Sequence, residues 1–363
     1  MPPAIDDLRR FAVGRSLFPP TTLADAMETF GFVQADPIRA PARAQDLTLR
    51  HRVAQYRAGD LERHYASLPI EEDVFVNYGF VTRSVHRLMH PRGGRARAPW
   101  SRVQGRRVDA IRAFVLARGA VHPREVDSHF AHGRVTNYWG GSSNATTHLL
   151  DLMHYRGVLR VVRRDAGVRV YGVQEIAEPV ADKAERARRI DALVDVVVRK
   201  YAPVPGPSLA TLVARLRYAV PQWRQDLTPA LQRARRRLMH ESIDGVTWYW
   251  PADEAHDVPA RPDSVHLLAP FDPIVWDRRR FEMLWGWAYR FEAYTPVKKR
   301  IRGYYALPLL WRDRVIGWGN VALTADGLQA DLGYVAGRAP RDRSFKRALE
   351  EELERLRTFL GVA

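Results

Sequence analysis

Apolar residues recur at helical spacing in several stretches of the chain, most clearly between residues 108 and 118. Val108, Ile111 and Val115 would share one face of a helix there, and Gly119 would end it. Two shorter helical segments come next, followed by two strand-like runs around a tight turn. Three helices followed by a hairpin are the element order of a winged helix-turn-helix.

The same order of elements is predicted on either side of this stretch. Before it, helices are expected over residues 5–17 and 22–30, and Thr22 and Gly31 are typical of the two ends of the second helix. After it, a weaker copy has three helices and a strand-like run over residues 246–250. We therefore predict three tandem winged helix-turn-helix domains.

From residue 264 onward, short strand-like runs alternate with turn residues, and one of them covers residues 289–294. This pattern predicts a β-rich barrel or sandwich, followed by a final amphipathic helix over residues 344–359. The predicted fold class is mainly α with β, with tandem winged helix-turn-helix domains and a C-terminal β-barrel-like domain. The predicted domains are winged-helix domain 1 with residues 1–100, winged-helix domain 2 with residues 101–178, winged-helix domain 3 with residues 179–262, and the barrel-like domain with residues 263–363.

The charge of the chain changes what partner we expect. Its 363 residues include 57 Lys and Arg against 41 Asp and Glu, a formal net charge of +16. Such an excess favours a polyanion, because cations that neutralise phosphates release condensed counterions. Only five of the basic residues are Lys, a ratio typical of a GC-rich genome. That bias explains the preference for Arg but not the excess over carboxylates, so nucleic acid is the favoured partner.

The composition also excludes several classes of protein and site. The chain has no Cys, which excludes disulfides, thiolate nucleophiles, Cys-based zinc sites and iron–sulfur clusters. No run approaches the ~20 apolar residues that span a bilayer, and the first residues lack the apolar core of a secretory signal. We therefore expect a cytoplasmic protein, associated with the nucleoid of a bacterial-type cell.

Two pairs of histidines have a spacing that metal ions use. His86 and His90 would lie one helical turn apart, and His129 and His132 form a looser pair. Neither pair has an obvious third ligand, and no Glu follows the metalloprotease pattern between them. We expect no metal site and no cofactor.

A candidate for chemistry lies just after the second predicted helix. Pro37 favours an extended conformation for Asp36, and in an extended chain Gln34 and Asp36 share one face. A carboxylate beside an amide can activate and orient a water molecule. The alternative is that Asp36 only caps a turn and Gln34 is merely solvated. No Lys lies near Gln34 in the sequence, so Schiff-base lyase chemistry is not predicted.

Four separated segments stand out together. They are FVQADPIRAPARAQDL at residues 32–47, NYWGGSSNATT at 137–147 with YRGVLR at 155–160, PFDPIVWDRRR at 270–280, and PVKKRIRGYYALP at 296–308. In this order they resemble the winged-helix DNA glycosylases of the AlkZ/YcaQ family, and the similarity covers almost the whole chain.

The resemblance implies an activity and a site. Members of that family excise alkylated purines, including bulky and crosslinked N7-guanine adducts, with a Gln-x-Gln or Gln-x-Asp motif, which falls here on Gln34 and Asp36. Asp36 would stabilise the oxocarbenium ion and activate a water molecule held by Gln34. An N3- or N7-alkylated purine is already cationic and leaves without a general acid. The resemblance also implies three winged helices and a β-barrel around a positively charged channel.

One segment departs from the family pattern. After the acidic run at residues 71–73, many members carry an aromatic-Trp-x-His stretch, whereas residues 74–80 here read VFVNYGF. If this stretch is a helix that lines the lesion pocket, the substrate range of the chain differs or the activity is lost.

Contacts with DNA are expected from the matching segments. Residues 137–147 would bring polar side chains to a helix N-terminus, which suits phosphate binding, or they only form a turn and cap that helix. The basic clusters at 278–280 and 298–302 either line the DNA channel or form solvated faces. The predicted DNA-binding residues are Arg39, Arg43, Asn137, Ser143, Asn144, Thr146, Thr147, Arg278, Arg279, Lys298, Lys299 and Arg300.

Two functions of different classes fit the sequence. The first is a monofunctional DNA glycosylase, a hydrolase acting in base excision repair of alkylation damage, with interstrand crosslinks as further candidate substrates. Its partner would be double-stranded DNA with an alkylated purine, bound by a monomer. The alternative is a non-catalytic winged-helix DNA-binding protein, either a regulator or an architectural factor. Such regulators usually bind a palindromic DNA site as dimers. Three DNA-binding domains in one chain instead favour wrapping of the DNA by one molecule.

Overall fold

The computed structural model describes residues 4–92, 100–136, 142–175, 180, 182–254, 263–325 and 327–362. The chain packs into two compact units that are interleaved along the sequence. Unit 1 comprises Met1–Asp60, Val194–Val213 and Leu231–Ala363, and unit 2 comprises Leu61–Leu193 and Ala214–Ala230. The four contiguous domains proposed from the sequence remain a prediction.

Helices form where capping residues border apolar faces. They are α1 (Ile5–Ser16), α2 (Leu23–Phe30), α3 (Ala44–Leu49), α4 (Asp60–His64), α5 (Arg83–Met89), α6 (Arg102–Arg118), α7 (Pro123–Phe130), α8 (Ala145–Tyr155), α9 (Lys183–Tyr201), α10 (Gly206–Arg215), α11 (Leu227–Arg237), α12 (Arg278–Trp285) and α13 (Arg343–Leu360). Thr22 caps the start of α2, and Gly31, with φ +62°, follows its end. Gly119, with φ +75°, follows α6, so both predicted helix ends are confirmed. No helix in the described part of the chain is long and apolar enough to cross a bilayer.

The strands form short antiparallel sheets. They are β1 (Phe32–Gln34), β2 (Ile70–Val74), β3 (Tyr78–Thr82), β4 (Arg134–Thr136), β5 (Ser142–Asn144), β6 (Leu159–Asp165), β7 (Val168–Val173), β8 (Val204–Pro205), β9 (Met239–Ile243), β10 (Val246–Trp250), β11 (Val265–Leu267), β12 (Leu307–Trp311), β13 (Arg314–Thr324) and β14 (Gly327–Tyr334). In unit 2, the helices α6, α7 and α8 precede the β6–β7 hairpin, as predicted. The ribbon β4–β5 between α7 and α8 was not predicted.

Unit 1 contains two sheets, in the strand orders β8-β10-β9 and β11-β12-β13-β14. Among the described residues the second sheet is open, with β11 and β14 at its edges, and does not close into the predicted barrel. The strand predicted at 289–294 is irregular. The ring of Phe291 in this segment packs against the rings of Phe271 and Tyr305, with centroid distances of 5.2 and 5.1 Å. These aromatic side chains therefore stabilise the segment by ring packing, and the segment does not pair as a strand.

The core of unit 1 joins α1 and α12 to the segment that precedes α12. Its buried members are Val13, Leu268, Ile274, Val275, Phe281, Tyr289, Leu310 and Val315. The fully buried Arg52 and Asp272 form a two-pronged ion pair with N–O distances of 2.5 and 3.0 Å. Arg280, also fully buried, donates to the carbonyl oxygens of Pro203 and Ile274. These bonds satisfy the buried charges and fix the segment 270–280 within unit 1.

Candidate active site

The predicted catalytic motif begins in a short buried strand. α2 ends at Gly31, and β1 leads the chain to Gln34, whose side chain is buried. The indole N–H of Trp276 donates to Oε1 of Gln34 at 2.7 Å. Because this bond engages the carbonyl end of the amide, it orients the NH₂ end of Gln34 away from the indole as a donor. The two residues are 242 positions apart in the sequence, and no local pattern could have linked them.

Asp36 is half-buried, and its two carboxylate oxygens have different surroundings. Oδ1 accepts a hydrogen bond from the N–H of Ile38 at 2.9 Å, and the N–H of Asp36 donates to Oε1 of Gln45 at 3.3 Å. Oδ2 accepts no hydrogen bond from the residues that the structure describes. Asp36 therefore caps a turn, as in the alternative interpretation, and still presents one carboxylate oxygen to another partner.

The environment of Asp36 makes its carboxylate more basic. Burial raises the pKa of Asp36 above its ordinary value of 3.8, and the hydrogen bond from Ile38 opposes part of that effect. A carboxylate with a raised pKa is a better proton acceptor in its ionised form. Desolvation of this kind is frequent at catalytic carboxylates.

The Tyr305 hydroxyl lies within electrostatic range of the Asp36 carboxylate. Burial raises the pKa of the Tyr305 hydroxyl, and the negative charge of Asp36 raises it further. That hydroxyl is buried and lacks a hydrogen-bond partner within the described part of the chain. The aromatic residues of this region were predicted as core, which the burial of Tyr305 confirms, but the sequence did not associate Tyr305 with Asp36. The available signal was the position of Tyr305 in the matching segment 296–308.

A buried lysine stabilises the strand that leads to Gln34. The ammonium group of Lys200 donates to the carbonyl oxygen of Phe32 and lies 4.8 Å from the ring centroid of Phe30. Burial lowers the pKa of Lys200 to about 7. The sequence shows no Lys near Gln34, but the fold brings Lys200 to a residue only two positions away. Because Lys200 is buried and bonded to the backbone, it supports β1 instead of presenting a nucleophile.

The predicted DNA contacts of unit 1 near the motif differ in exposure. Arg39 is exposed, whereas Arg43 is half-buried at the N-terminus of α3. Arg278 and Arg279 are exposed in the first turn of α12, where Asp277 accepts hydrogen bonds from the backbone N–H groups of Arg279 and Arg280. The same run of three arginines therefore supplies two surface cations and one core residue.

The second basic cluster lies in the 3₁₀ turn Val297–Lys299 and the residue after it. Lys298 and Lys299 are exposed. Arg300 is half-buried, and its guanidinium lies 5.1 Å from the ring centroid of Tyr304. These side chains are therefore placed in unit 1, the unit that also contains Gln34 and Asp36.

The polar residues predicted at a helix N-terminus belong to unit 2. Asn137 lies outside the described residues, and Ser143 is in β5, where its side chain is not described. Asn144 caps α8 by accepting a hydrogen bond from the N–H of Thr147 at 2.9 Å. Thr147 is exposed, but Thr146 is fully buried and cannot reach a phosphate in this conformation. The capping interpretation is thus confirmed for Asn144, and DNA contact by Asn144 or Thr147 stays a prediction.

The histidine pair that sequence reasoning considered for a metal has a neighbour that the sequence did not reveal. The donor atoms of His86, His90 and Asp73 lie within 4.8 Å of one another. Nε2 of His90 lies 2.7 Å from Oδ2 of Asp73, and Arg92 binds the other oxygen at 2.6 Å. His90, Asp73 and Arg92 are therefore linked in a buried network of hydrogen bonds and ion pairs. This network accounts for the short distances between the two histidines and the aspartate.

The segment that departs from the family pattern is the end of a β-hairpin, so the helix considered for it is wrong. β2 and β3 pair along their whole length across this turn. Phe75 and Phe80 are buried, and the Tyr78 hydroxyl donates to Oε2 of Glu72 at 2.5 Å. The antiparallel pairing of β2 and β3 therefore places this segment in a hairpin.

Comparison with known proteins places these observations in a family. The family model described as "DNA glycosylase AlkZ-like" matches residues 27–359. Among solved structures, the Streptomyces sahachiroi DNA glycosylase AlkZ is similar, with a TM-score of 0.64 over 100% of this chain and 98% of that chain, at 13% sequence identity. At that identity the structural likeness shows the shared fold alone.

Proposed function

Because the chain belongs to the AlkZ-like DNA glycosylase family, we propose that it hydrolyses the N-glycosidic bond of N3- and N7-alkylated purines in double-stranded DNA. The observation that carries this proposal is the half-buried Asp36 carboxylate, which has one oxygen fixed by Ile38 and the other accepting no hydrogen bond from the described residues. It lies two positions from Gln34, an amide whose orientation is set by Trp276.

The proposed step needs a base and a group that stabilises positive charge. As the purine leaves with the electrons of the glycosidic bond, the sugar becomes an oxocarbenium ion, which the Asp36 carboxylate stabilises. A water molecule held by the amide of Gln34 attacks C1′, and Asp36 accepts its proton. The products are the released base and an abasic sugar.

The leaving group explains why two side chains suffice. Alkylation at N3 or N7 gives the purine a positive charge, so the base departs as a neutral molecule without protonation by the enzyme. No residue in the role of general acid, and no cofactor, enters this proposal.

The chain acts as a monofunctional enzyme in this proposal. A lyase would need an amine that reaches C1′ of the abasic sugar and forms a Schiff base. Lys200 lies beside the strand that leads to Gln34, and it is buried with its amine bonded to Phe32. Base release should therefore occur without strand cleavage.

Surface cations of unit 1 supply the proposed phosphate contacts. They flank the motif in the sequence or belong to the matching segments. The proposed contacts are Arg39, Arg278, Arg279, Lys298, Lys299 and Arg300. Unit 2 adds Asn144 and Thr147 at the start of α8, where backbone N–H groups favour anions.

The biological setting follows from the chemistry. An abasic product requires further enzymes of base excision repair, so we place the chain at the first step of that pathway. A single molecule carries both proposed catalytic residues, and we therefore propose a monomer. Bulky and crosslinked N7-guanine adducts carry the same cationic leaving group and are candidate substrates in the same cytoplasmic repair role.

A base-release assay separates this enzyme from a non-catalytic DNA-binding protein. Duplexes that contain one N7-methylguanine or one N3-methyladenine are incubated with the protein, and abasic sites are scored by alkaline cleavage. The enzyme should release the damaged base, and borohydride should trap no covalent complex. Tight binding to one undamaged sequence without base release from any adduct would favour the regulator instead.

A further inference from the structure

Four large apolar or aromatic side chains are exposed on one segment of unit 1. In the segment 294–304, the exposed fractions of Tyr294, Val297, Ile301 and Tyr304 are 80%, 73%, 78% and 45%. Side chains of this size are usually covered when they come close together in a folded chain. We call residues 294–304 the apolar segment.

Hydrogen bonds hold the backbone of residues 301–303 in the apolar segment, although the neighbouring apolar side chains are exposed. Glu292 is buried, and its Oε2 accepts hydrogen bonds from the N–H groups of Ile301, Arg302 and Gly303 at 2.9, 2.8 and 3.2 Å. A carboxylate that accepts three backbone N–H groups makes charge-assisted bonds, which are stronger than neutral ones. The buried Glu292 carboxylate therefore stabilises the turn from which the Ile301 side chain projects.

Two further contacts fix the same turn. Gly303 has φ +121°, and a Cβ at that position would lie 2.1 Å from Oδ1 of Asn320. The Asn320 amide donates to the carbonyl oxygen of Arg302 at 2.7 Å, and the Arg302 guanidinium lies over the rings of Trp287 and Trp318. The side chain of Ile301 thus projects from a turn that several tertiary contacts hold in place.

The charged residues around the exposed apolar side chains indicate which kind of partner they contact. Lys298 and Lys299 are exposed and lie between Val297 and Ile301 in the sequence, and Arg300 follows them. Cations beside an apolar tip suit a nucleic-acid duplex, since the cations meet phosphates while the apolar side chains enter between base pairs. An apolar protein surface would leave the lysines without partners.

Contacts between aromatic rings extend from Tyr294 in the apolar segment to Tyr305. Tyr294 contacts Phe291 at 6.0 Å between ring centroids, and Phe291 contacts Tyr305 at 5.1 Å. Tyr305 in turn feels the charge of Asp36. The apolar segment and the Asp36 carboxylate therefore both belong to unit 1, and Tyr305 has ring contacts towards the segment and an electrostatic interaction with the carboxylate.

We propose that Val297 and Ile301 form a wedge that enters the base stack beside the damaged nucleotide and exposes its sugar to Asp36. This inference rests on the proposed glycosylase function and adds a positioning role to it. Insertion of apolar side chains unstacks a base step, and the removal of a base from the stack is easier at damaged pairs. Neither residue takes part in bond breaking.

The test compares a paired lesion with an unpaired one. The double variant Val297→Ser with Ile301→Ser is compared with the wild type on N7-methylguanine in a full duplex and in an unpaired bubble. Both side chains are exposed, so the variant should fold, and its melting temperature checks this. The matched control is Val335→Ser, which alters an exposed valine outside the segment.

We expect the double variant to lose about tenfold or more of the single-turnover rate on the duplex and to match the wild type on the bubble. The control should match the wild type on both. Equal rates on the duplex, or equal losses on the two substrates, would overturn the wedge.

A second readout does not depend on base release. Fluorescence of 2-aminopurine beside the lesion should rise when the wild type binds, since unstacking relieves quenching, and should not rise with the double variant. If the wild type releases no base from either substrate, the glycosylase proposal fails, and this signal still decides whether the wedge exists. No fluorescence change with the wild type would overturn the wedge.

Discussion

At the scale of single residues, the sequence located the motif but not its partners. Pro37 correctly indicated that Asp36 is not helical, because a proline restricts the residue before it. The hydrogen bond that Trp276 donates to Gln34 and the one that the Asp36 N–H donates to Gln45 come from tertiary structure. Their geometry depends on how distant segments pack, and periodicity carries no information about it.

The indole of Trp276 should matter for the rate more than for DNA binding. Trp276→Phe removes the 2.7 Å bond to Gln34 but keeps an aromatic ring, so the amide loses its fixed orientation. We expect a rate of base release roughly 3–30-fold lower, corresponding to about 0.7–2 kcal/mol, with unchanged DNA affinity. Trp285→Phe, which removes a bond to a backbone carbonyl at Asp313, is the matched control. Equal rates in the two variants would contradict the orienting role.

Lys200 should give the protein a measurable pH dependence of stability. The folded pKa of Lys200 is about 7, below the ordinary 10.5. The unfolded chain therefore binds more protons between these values, and the free energy of unfolding rises with pH across that window. Relative to Lys200→Met, the wild type should gain up to roughly 1 kcal/mol per pH unit above about pH 7. Urea denaturation of both proteins at several pH values measures this, and a constant difference would contradict it.

At the scale of elements, local signals predicted helix ends well and strands less well. Thr22 acts through its side-chain hydroxyl, and Gly31 and Gly119 act through their positive φ, so all three effects are local and readable in the sequence. The segment 289–294 has the composition of a strand, but its rings pack against other rings and Glu292 binds the following turn. Within the described ranges, the sheet β11-β12-β13-β14 is open, with no strand that joins its edges β11 and β14.

The carboxylate of Glu292 should determine the stability of the apolar segment. Glu292→Gln removes the negative charge that three backbone N–H groups share, so we expect a loss of about 1–3 kcal/mol in the free energy of unfolding. Hydrogen exchange at Ile301 and Arg302 should quicken. Glu282→Gln, at an exposed position of α12, should change neither quantity. Unchanged exchange in Glu292→Gln would show that the turn is held by other contacts.

At the scale of the whole molecule, charge predicted the class of partner, and the family comparison agrees with it. The net charge of +16 and the order of the four matching segments are properties of the entire chain. The two interleaved units could not be predicted, because segments from both ends of the sequence pack together in unit 1. Sequence patterns indicate local structure. The packing of distant segments in unit 1 depends instead on the shape complementarity of their surfaces, which these patterns do not show.

DNA binding should depend on salt through identifiable lysines. Each phosphate contact contributes about 0.9 to the slope of log affinity against log salt concentration, so Lys298→Ala with Lys299→Ala should lower that slope by roughly 2. The matched control is Lys183→Ala with Lys346→Ala, two exposed lysines outside the matching segments. Fluorescence anisotropy over a range of salt concentrations gives both slopes. An equal slope for the two double variants would remove these lysines from the DNA interface.

The central claim is that the Asp36 carboxylate drives base release. The direct measurement is the single-turnover rate on an N7-methylguanine duplex, together with DNA affinity, for the wild type, Asp36→Asn and the exposed control Asp109→Asn. The asparagine can still accept the hydrogen bond from Ile38, so the turn should persist. The account predicts a loss of about 100-fold or more for Asp36→Asn with unchanged affinity, and no loss for Asp109→Asn. Base release by Asp36→Asn at the wild-type rate would contradict it.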